Sequence, residues 1–308
     1  MEGHEGGNLT FVLVSQQKEN AFFDAVRDGC LGAAKKLSRE SNRNVTCIYR
    51  YPEKPDIWAQ LNLIQKLVRS ENSPKLHGII LIPLSPSTQL APVINEATQK
   101  GIAVVVVNED IPDSMRLARV ATDNYELGRT LGKILLQLRP HGGNYATLRA
   151  EGETLDLRGQ GLSEYLADTQ WNLLADKSLP ENIDLMMDQM EAFPIEHPSL
   201  SAIIPLGGWP MYHPERWINF VEKYQSKIAF VSADALPVQI DLLNSGHVNG
   251  LAGQASNQIG SKALDVLYNH HLDPATPLPN DIFVTSIMEF VRVPIVLPPL
   301  VVNKNHIG

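Results

Sequence analysis

Short apolar runs recur along this chain, and behind them stand residues that can bond a polar ligand or lie flat against one. Asn20, Phe22 and Phe23 follow the run Leu9–Val14, Ser85 and Ser87 follow residues 78–82, and Asn108 and Glu109 follow Ala103–Val107. Thr122 and Asp123 close the run 119–121, Trp209 stands behind Gly207-Gly208, Asp234 follows residues 228–232, and Gln254 follows 250–253. Arg158 precedes Gly161 at the start of a helical segment. Amide, carboxylate and guanidinium groups are hydrogen-bonding forks, whereas aromatic rings are flat and apolar. Sugars need both, because their hydroxyls pair with forks while their C–H faces rest on rings.

Singly, each residue has a plainer use. Asn20 and Asp234 suit helix caps. One of Phe22 and Phe23 belongs in a core at helical spacing, and Trp209 suits the plug of a loop. Arg158 can pair with Glu153 or Asp156 on the surface, a contact worth little, and Glu109 suits solvent. Recurrence behind successive runs favours a binding site over this set of unrelated uses.

Enzyme constellations are missing from the sequence. It holds no Gly-x-Ser-x-Gly elbow, no Gly-x-Gly-x-x-Gly, no phosphate loop ending Gly-Lys-Ser/Thr and no His-Glu-x-x-His. His141-Gly142-Gly143 reads as a turn, and His270-His271 as a helix end meeting its C-terminal dipole. Neither an activity nor a cofactor nor a metal is expected.

The elements that position these residues follow a βα rhythm. Candidate strands at 9–14, 45–49, 78–82 and 103–107 alternate with helical segments at about 22–38, 56–70 and 87–100. The stretch 120–138 is the pivot, where Thr122-Asp123-Asn124 can cap a helix on which Leu127, Leu131, Ile134, Leu135 and Leu138 recur at helical spacing. Beyond it come strands at 144–148, 171–175, 202–206, 228–232 and 250–253, with helices near 158–167, 181–191, 214–224, 236–245 and 258–269. A strand at 282–287 precedes residues 290–302, where Pro294, Pro298 and Pro299 rule out a central strand. Repeated βα units predict an α/β fold with parallel sheets, and ligands in such sheets bind at the strands' carboxyl ends.

Composition sets the bounds. At 308 residues, the chain exceeds one small core and suggests two domains of roughly 150 residues. Lys plus Arg is 26 against Asp plus Glu 34, so the net charge of −8 disfavours broad nucleic-acid or anionic-membrane binding. The longest apolar run, 102–107, falls far short of the roughly 20 residues that cross a bilayer. The Gly-rich start has neither a basic nor an apolar segment and is not an intact signal peptide; it reads as a linker or remnant. Cys30 shares the apolar face of the first helix with Val26, Ala34 and Leu37, and Cys47 lies in the second strand. Two buried free thiols are the expected state, with a disulfide as the alternative in an oxidising compartment.

Together these pieces resemble the type I periplasmic sugar-binding proteins, the ribose- and galactose-binding group, whose fold is shared by the effector domains of lac-repressor-like regulators. The resemblance rests on Phe11-Val-Leu-Val-Ser15 followed by Asn20-Ala-Phe-Phe23, on Thr122-Asp-Asn-Tyr-Glu-Leu-Gly128, and on Arg158-x-x-Gly161. Val231-Ser-Ala-Asp234 and Gly253-Gln254 with Gln258-Ile-Gly260 continue it, in order, over nearly the whole chain. It implies two Rossmann-like lobes joined by three crossovers. The N-terminal lobe would take residues 8–121 and 254–284, and the C-terminal lobe 122–253 and 285–308. By the same resemblance Asn20 and Phe22 face the ligand from one lobe, Arg158 and Asp234 from the other or its hinge, with Thr122 and Gln254 near crossovers.

Two departures bear on the ligand. Ribose-binding relatives carry Asp-Arg where this chain has Asn108-Glu109, so a guanidinium fork is missing, and Gly207-Gly208-Trp209 replaces an Asn-Asp, exchanging a polar contact for an aromatic one. The expected function is a monomeric, non-enzymatic, extracytoplasmic solute receptor for a small neutral sugar or sugar-like ligand. The two lobes close on the ligand, and a membrane permease or a sensor kinase reads the closed form. Arg158→Ala or Asp234→Ala is expected to abolish binding without unfolding. The alternative, a lac-repressor-like effector core, calls for a helix-turn-helix module, yet only eight residues precede Leu9.

Overall fold

The computed structural model describes residues 7–70, 75–180 and 182–292. In chain order, β1 (Leu9–Val14), α1 (Ala21–Ser41), β2 (Val45–Arg50), α2 (Ile57–Arg69), β3 (Leu76–Leu81), α3 (Ala91–Gln99), β4 (Ala103–Val107) and β5 (Ala118–Thr122) come first. Then follow α4 (Asn124–Leu138), β6 (Gly143–Ala150), α5 (Glu153–Leu166), β7 (Trp171–Leu179), α6 (Ile183–Glu196), β8 (Leu200–Pro205) and α7 (Pro214–Tyr224). The chain continues through β9 (Ala229–Ala233), α8 (Pro237–Ser245), β10 (Gly250–Gln254) and α9 (Ser256–Leu272) to β11 (Asp281–Val284) and β12 (Ile287–Val291). Residues 293–308, with Pro294, Pro298 and Pro299, lie outside the described residues.

Two compact units result, one from residues up to 123 with 255–286, the other from 124–254 with residues from 287 onward. Thr122 and Asp123 therefore stand in the first unit and Gln254 in the second. The first sheet runs β11-β5-β4-β3-β1-β2 and the second β12-β10-β9-β8-β6-β7. Among the described residues every pairing is parallel except β10 with β12. Position for position, β1 corresponds to β6, β3 to β8, β4 to β9 and β5 to β10. This doubly wound order places a switch point between β1 and β3 and another between β6 and β8, where ligands of such sheets bind.

Central strands are buried on both faces, which is why β1 and β4 read as unbroken apolar runs. In each unit two helices cross at backbone contact. A Cβ on Gly29 of α1 would lie 1.8 Å from the Asn257 carbonyl oxygen, and one on Gly260 of α9 1.9 Å from that of Val26. In the second unit a Cβ on Gly128 of α4 would meet the Arg158 carbonyl at 2.1 Å, and one on Gly161 of α5 that of Tyr125 at 2.0 Å. Only a residue without a side chain permits either approach.

Three expectations change. Cys30 and Cys47 form a disulfide with Cα atoms 6.1 Å apart. Cys30 faces inward on α1 and Cys47 inward on β2, which brings the two within bridging range. The single strand expected at 282–287 is two strands in two sheets, β11 beside β5 and β12 beside β10. Finally, α5 begins at Glu153, so Arg158 sits inside the helix rather than at its start.

At the opposite end of the first sheet, the β1–β3 register shifts so that His77 is an extra residue facing Thr10 and Phe11. Its Nδ1 accepts the Thr10 backbone N–H at 3.0 Å, and its ring meets that of His271, at the end of α9, edge-on at 5.0 Å. Burial holds the His77 imidazole below the ordinary 6.5, helped by His271 and Lys75. Burial also lowers His271, with Arg43, Lys75 and His270 beside it. A depressed folded-state value means that the native state binds fewer protons than the unfolded chain. This contribution is therefore complete above about pH 6.5 and is lost as pH falls through the lower folded value. The melting temperature should drop between about pH 7.5 and pH 5, with a shallower slope in His77→Gln. Equal slopes in a scan of both proteins would refute this account.

Candidate functional site

The carboxyl edge of the first sheet is built around Gln60, a fully buried residue of α2. Its Nε2 donates to the Ser15 and Ile82 carbonyls at 3.1 and 2.9 Å, and its Oε1 accepts from Leu84 N at 2.8 Å. It thus clamps the ends of β1 and β3 at the switch point. Asn20 caps α1, its Oδ1 accepting from Phe22 N and Phe23 N at 2.9 and 3.2 Å. That cap engages only the carbonyl half of the amide. Phe23 is buried and Phe22 half-buried, their rings edge-on at 5.8 Å. Ser85 is exposed beyond β3, and Thr122 is buried at the end of β5.

Asn108 and Glu109 follow β4. Asn108 has φ 62° and donates its backbone N–H to Val120 O at 3.1 Å. Its Oδ1 is buried and meets no donor among the described residues, nor does Oε1 of Gln89 in the short helical turn after β3. Ser87 Oγ donates to the Asp110 carbonyl at 2.8 Å, fastening the loop that carries Gln89 to the loop that carries Glu109. Arg116 forks onto Asp110 through Nε at 2.5 Å and Nη2 at 2.9 Å. Burial raises the Asp110 carboxyl, but the Arg116 bonds and the Ile111 N–H outweigh it and hold the group below its usual value.

The second sheet presents an equivalent edge. Asp234, after β9, has φ 71° and donates its backbone N–H to Ala252 O at 2.9 Å, as Asn108 does to β5. Apart from glycine, Asn and Asp are the residues that adopt this region most readily, and here they stand at the same position of the two sheets. Asp234 Oδ2 accepts from Gly208 N at 2.9 Å and Oδ1 from Gln254 Nε2 at 2.6 Å, which joins the ends of β8, β9 and β10. Gln239, fully buried, braces this loop by accepting from Leu236 N at 2.9 Å. Trp209 is half-buried against the core, and its ring lies so close over Gly207 that a Cβ there would be 1.9 Å from it.

Arg158 does not take the surface pairing with Glu153 or Asp156. It is 4% exposed, its Nε donating to Asn124 Oδ1 at 2.8 Å and its Nη1 to the Leu206 carbonyl at 2.7 Å. Asp156 pairs with Arg149. The guanidinium ties the start of α4 to the carboxyl end of β8.

Asn20, Phe22, Phe23, Ser85, Asn108, Glu109 and Thr122 thus share one edge of the first sheet. Trp209, Asp234 and Gln254 share one edge of the second. Gln60, Gln89 and Gln239 escaped sequence reasoning because glutamine in an amphipathic helix normally faces water, and only packing shows it turned inward. Among the described residues no group of three or more His, Cys, Asp or Glu side chains is arranged to hold a metal ion. Among the same residues no helix is long and apolar enough to cross a membrane.

No curated protein sequence matches the chain. A glucose-galactose binding protein from Geobacillus stearothermophilus superposes with a TM-score of 0.75 at 23% identity, covering 92% of this chain and 97% of that one. An arabinose binding protein from the same organism gives 0.79 at 20% identity, with coverage of 92% and 97%. A sugar-binding protein of a sugar ABC transporter from Bacillus halodurans gives 0.80 at 20%, with coverage of 92% and 97%. These likenesses show the fold, two α/β lobes of the type I arrangement. The periplasmic binding protein domain matches residues 11–272. With that match spanning most of its length, the chain belongs to the periplasmic binding protein family.

Proposed function

We propose that this chain is a non-enzymatic extracytoplasmic receptor for a small sugar or sugar-like ligand, held at the carboxyl edges of both sheets. The observation that carries the reading is the matched pair Asn108 and Asp234, left-handed polar residues behind corresponding strands of the two sheets. Asn20, Phe22, Phe23, Ser85, Asn108, Glu109 and Thr122 would serve from one lobe, and Trp209, Asp234 and Gln254 from the other. Arg158 would act as a positioning residue beneath them. The similar structures named for sugars support the ligand class, and the Cys30–Cys47 disulfide supports an oxidising compartment. Ligand bridging both lobes would favour a closed form, by no more than its differential affinity for that form. A membrane permease or a sensor kinase would read that form.

Calorimetric titration with a panel of pentoses and hexoses tests the reading. Asp234→Asn keeps the backbone conformation that Asn tolerates, but removes the charge that now accepts from Gly208 N and Gln254 Nε2. Binding should weaken about 10- to 100-fold in a folded protein. Wild-type affinity in this variant would remove Asp234 from the site, and a panel without a binder would sink the sugar reading.

A further inference from the structure

Two buried amide acceptors are left open at the first sheet's carboxyl edge. Asn108 Oδ1 and Gln89 Oε1 are buried and meet no donor among the described residues. Glu109, half-buried beside Asn108, pairs with no cation among those residues. The guanidinium nearest in sequence, Arg116, forks onto Asp110 and gives Nη1 to the Asn280 carbonyl at 3.0 Å. Arg119 bonds Asp281 at 2.8 Å. On the second sheet Gly208 N and Gln254 Nε2, which donate to the Asp234 carboxylate, are neutral. Arg158 directs Nε and Nη1 at neutral acceptors inside the fold.

A neutral sugar hydroxyl would give such an edge one donor and leave the Glu109 charge to be desolvated without compensation. An ammonium group carries three donors, no acceptor and the missing charge. We infer that the strand-edge site selects a sugar-like ligand bearing a protonated primary amine, with Glu109 as the residue that determines this preference. The inference rests on the sugar-receptor reading above and replaces its neutral ligand by a cationic one. The loop-to-loop bond from Ser87 to Asp110 fastens the segment that carries Gln89 to the one that carries Asn108 and Glu109.

The test is titration of the full chain with matched probes: glucosamine against glucose, galactosamine against galactose, and N-acetylglucosamine, whose nitrogen carries no charge. The amine should bind at least about 10-fold tighter than its neutral partner, and acetylation should remove the advantage. In Glu109→Gln, checked for folding by circular dichroism, the preference of amine over neutral partner should shrink to within about 3-fold, whatever the loss common to both. Neutral sugars binding as tightly as amines would overturn this inference and leave the receptor reading standing. So would an amine preference that survives in Glu109→Gln. Failure of both amino and neutral sugars to bind would overturn both.

Discussion

Replacing Arg158 by alanine should cost the second unit about 3–5 kcal/mol of folding stability. The expectation from sequence alone is loss of binding in a folded protein, and burial adds to it an expected loss of stability. The guanidinium is 4% exposed, and its removal takes one donor from Asn124 Oδ1 and one from the Leu206 carbonyl, both residues being buried. Each lost partner costs about 1–3 kcal/mol, and the space left by the aliphatic stem adds to it. Lysine should restore only part of the loss, because one ammonium lacks the planar fork that reaches both acceptors. Tryptophan fluorescence suits the measurement, since Trp171 and Trp217 are buried in the second unit whereas Trp58 of the first is 61% exposed. Urea unfolding of the ligand-free alanine variant should show the fluorescence midpoint well below wild type. A wild-type midpoint would mean that Arg158 does not hold α4 to β8.

The second large effect belongs to the first unit. The Cys30–Cys47 bridge spans a sequence separation of 17, and opening a loop of that size should cost about 3 kcal/mol. The double variant Cys30→Ala with Cys47→Ala should unfold earlier by that amount when followed by circular dichroism. Wild type in strong reductant should approach the variant, while the fluorescence of the second unit's buried tryptophans should move less. Two units need not unfold in one step, so the two probes are read separately. Thiol titration of unreduced, denatured protein offers an independent check. Two free thiols, or a midpoint that ignores reductant, would contradict the bridge.

Much of the architecture was legible because its causes are local. A strand buried on both faces must be apolar throughout, so Leu9–Val14 and Ala103–Val107 declare themselves. The helix that follows Thr122-Asp123 is announced by its leucine spacing and begins at Asn124. Polar residues behind the strands could be located for the same reason, since an apolar run must end before they start. Their roles were less accessible. Trp209 lies half-buried over Gly207, and Arg158 turns inward because α4 and α5 cross at backbone contact through Gly128 and Gly161.

What the sequence determined by itself was the order of strands and helices, the α/β class and the family, each carried by short-range pattern. Only the tertiary structure decided which partners met. It closed Cys30 onto Cys47, divided residues 282–287 between two sheets, turned Gln60 and Gln239 into buried braces, and gave Asn108 and Asp234 the same left-handed backbone. The physical reason is separation along the chain. Hydrophobic periodicity is written within one turn or one strand, whereas a hydrogen bond between residues dozens of positions apart exists only once packing has brought them within reach.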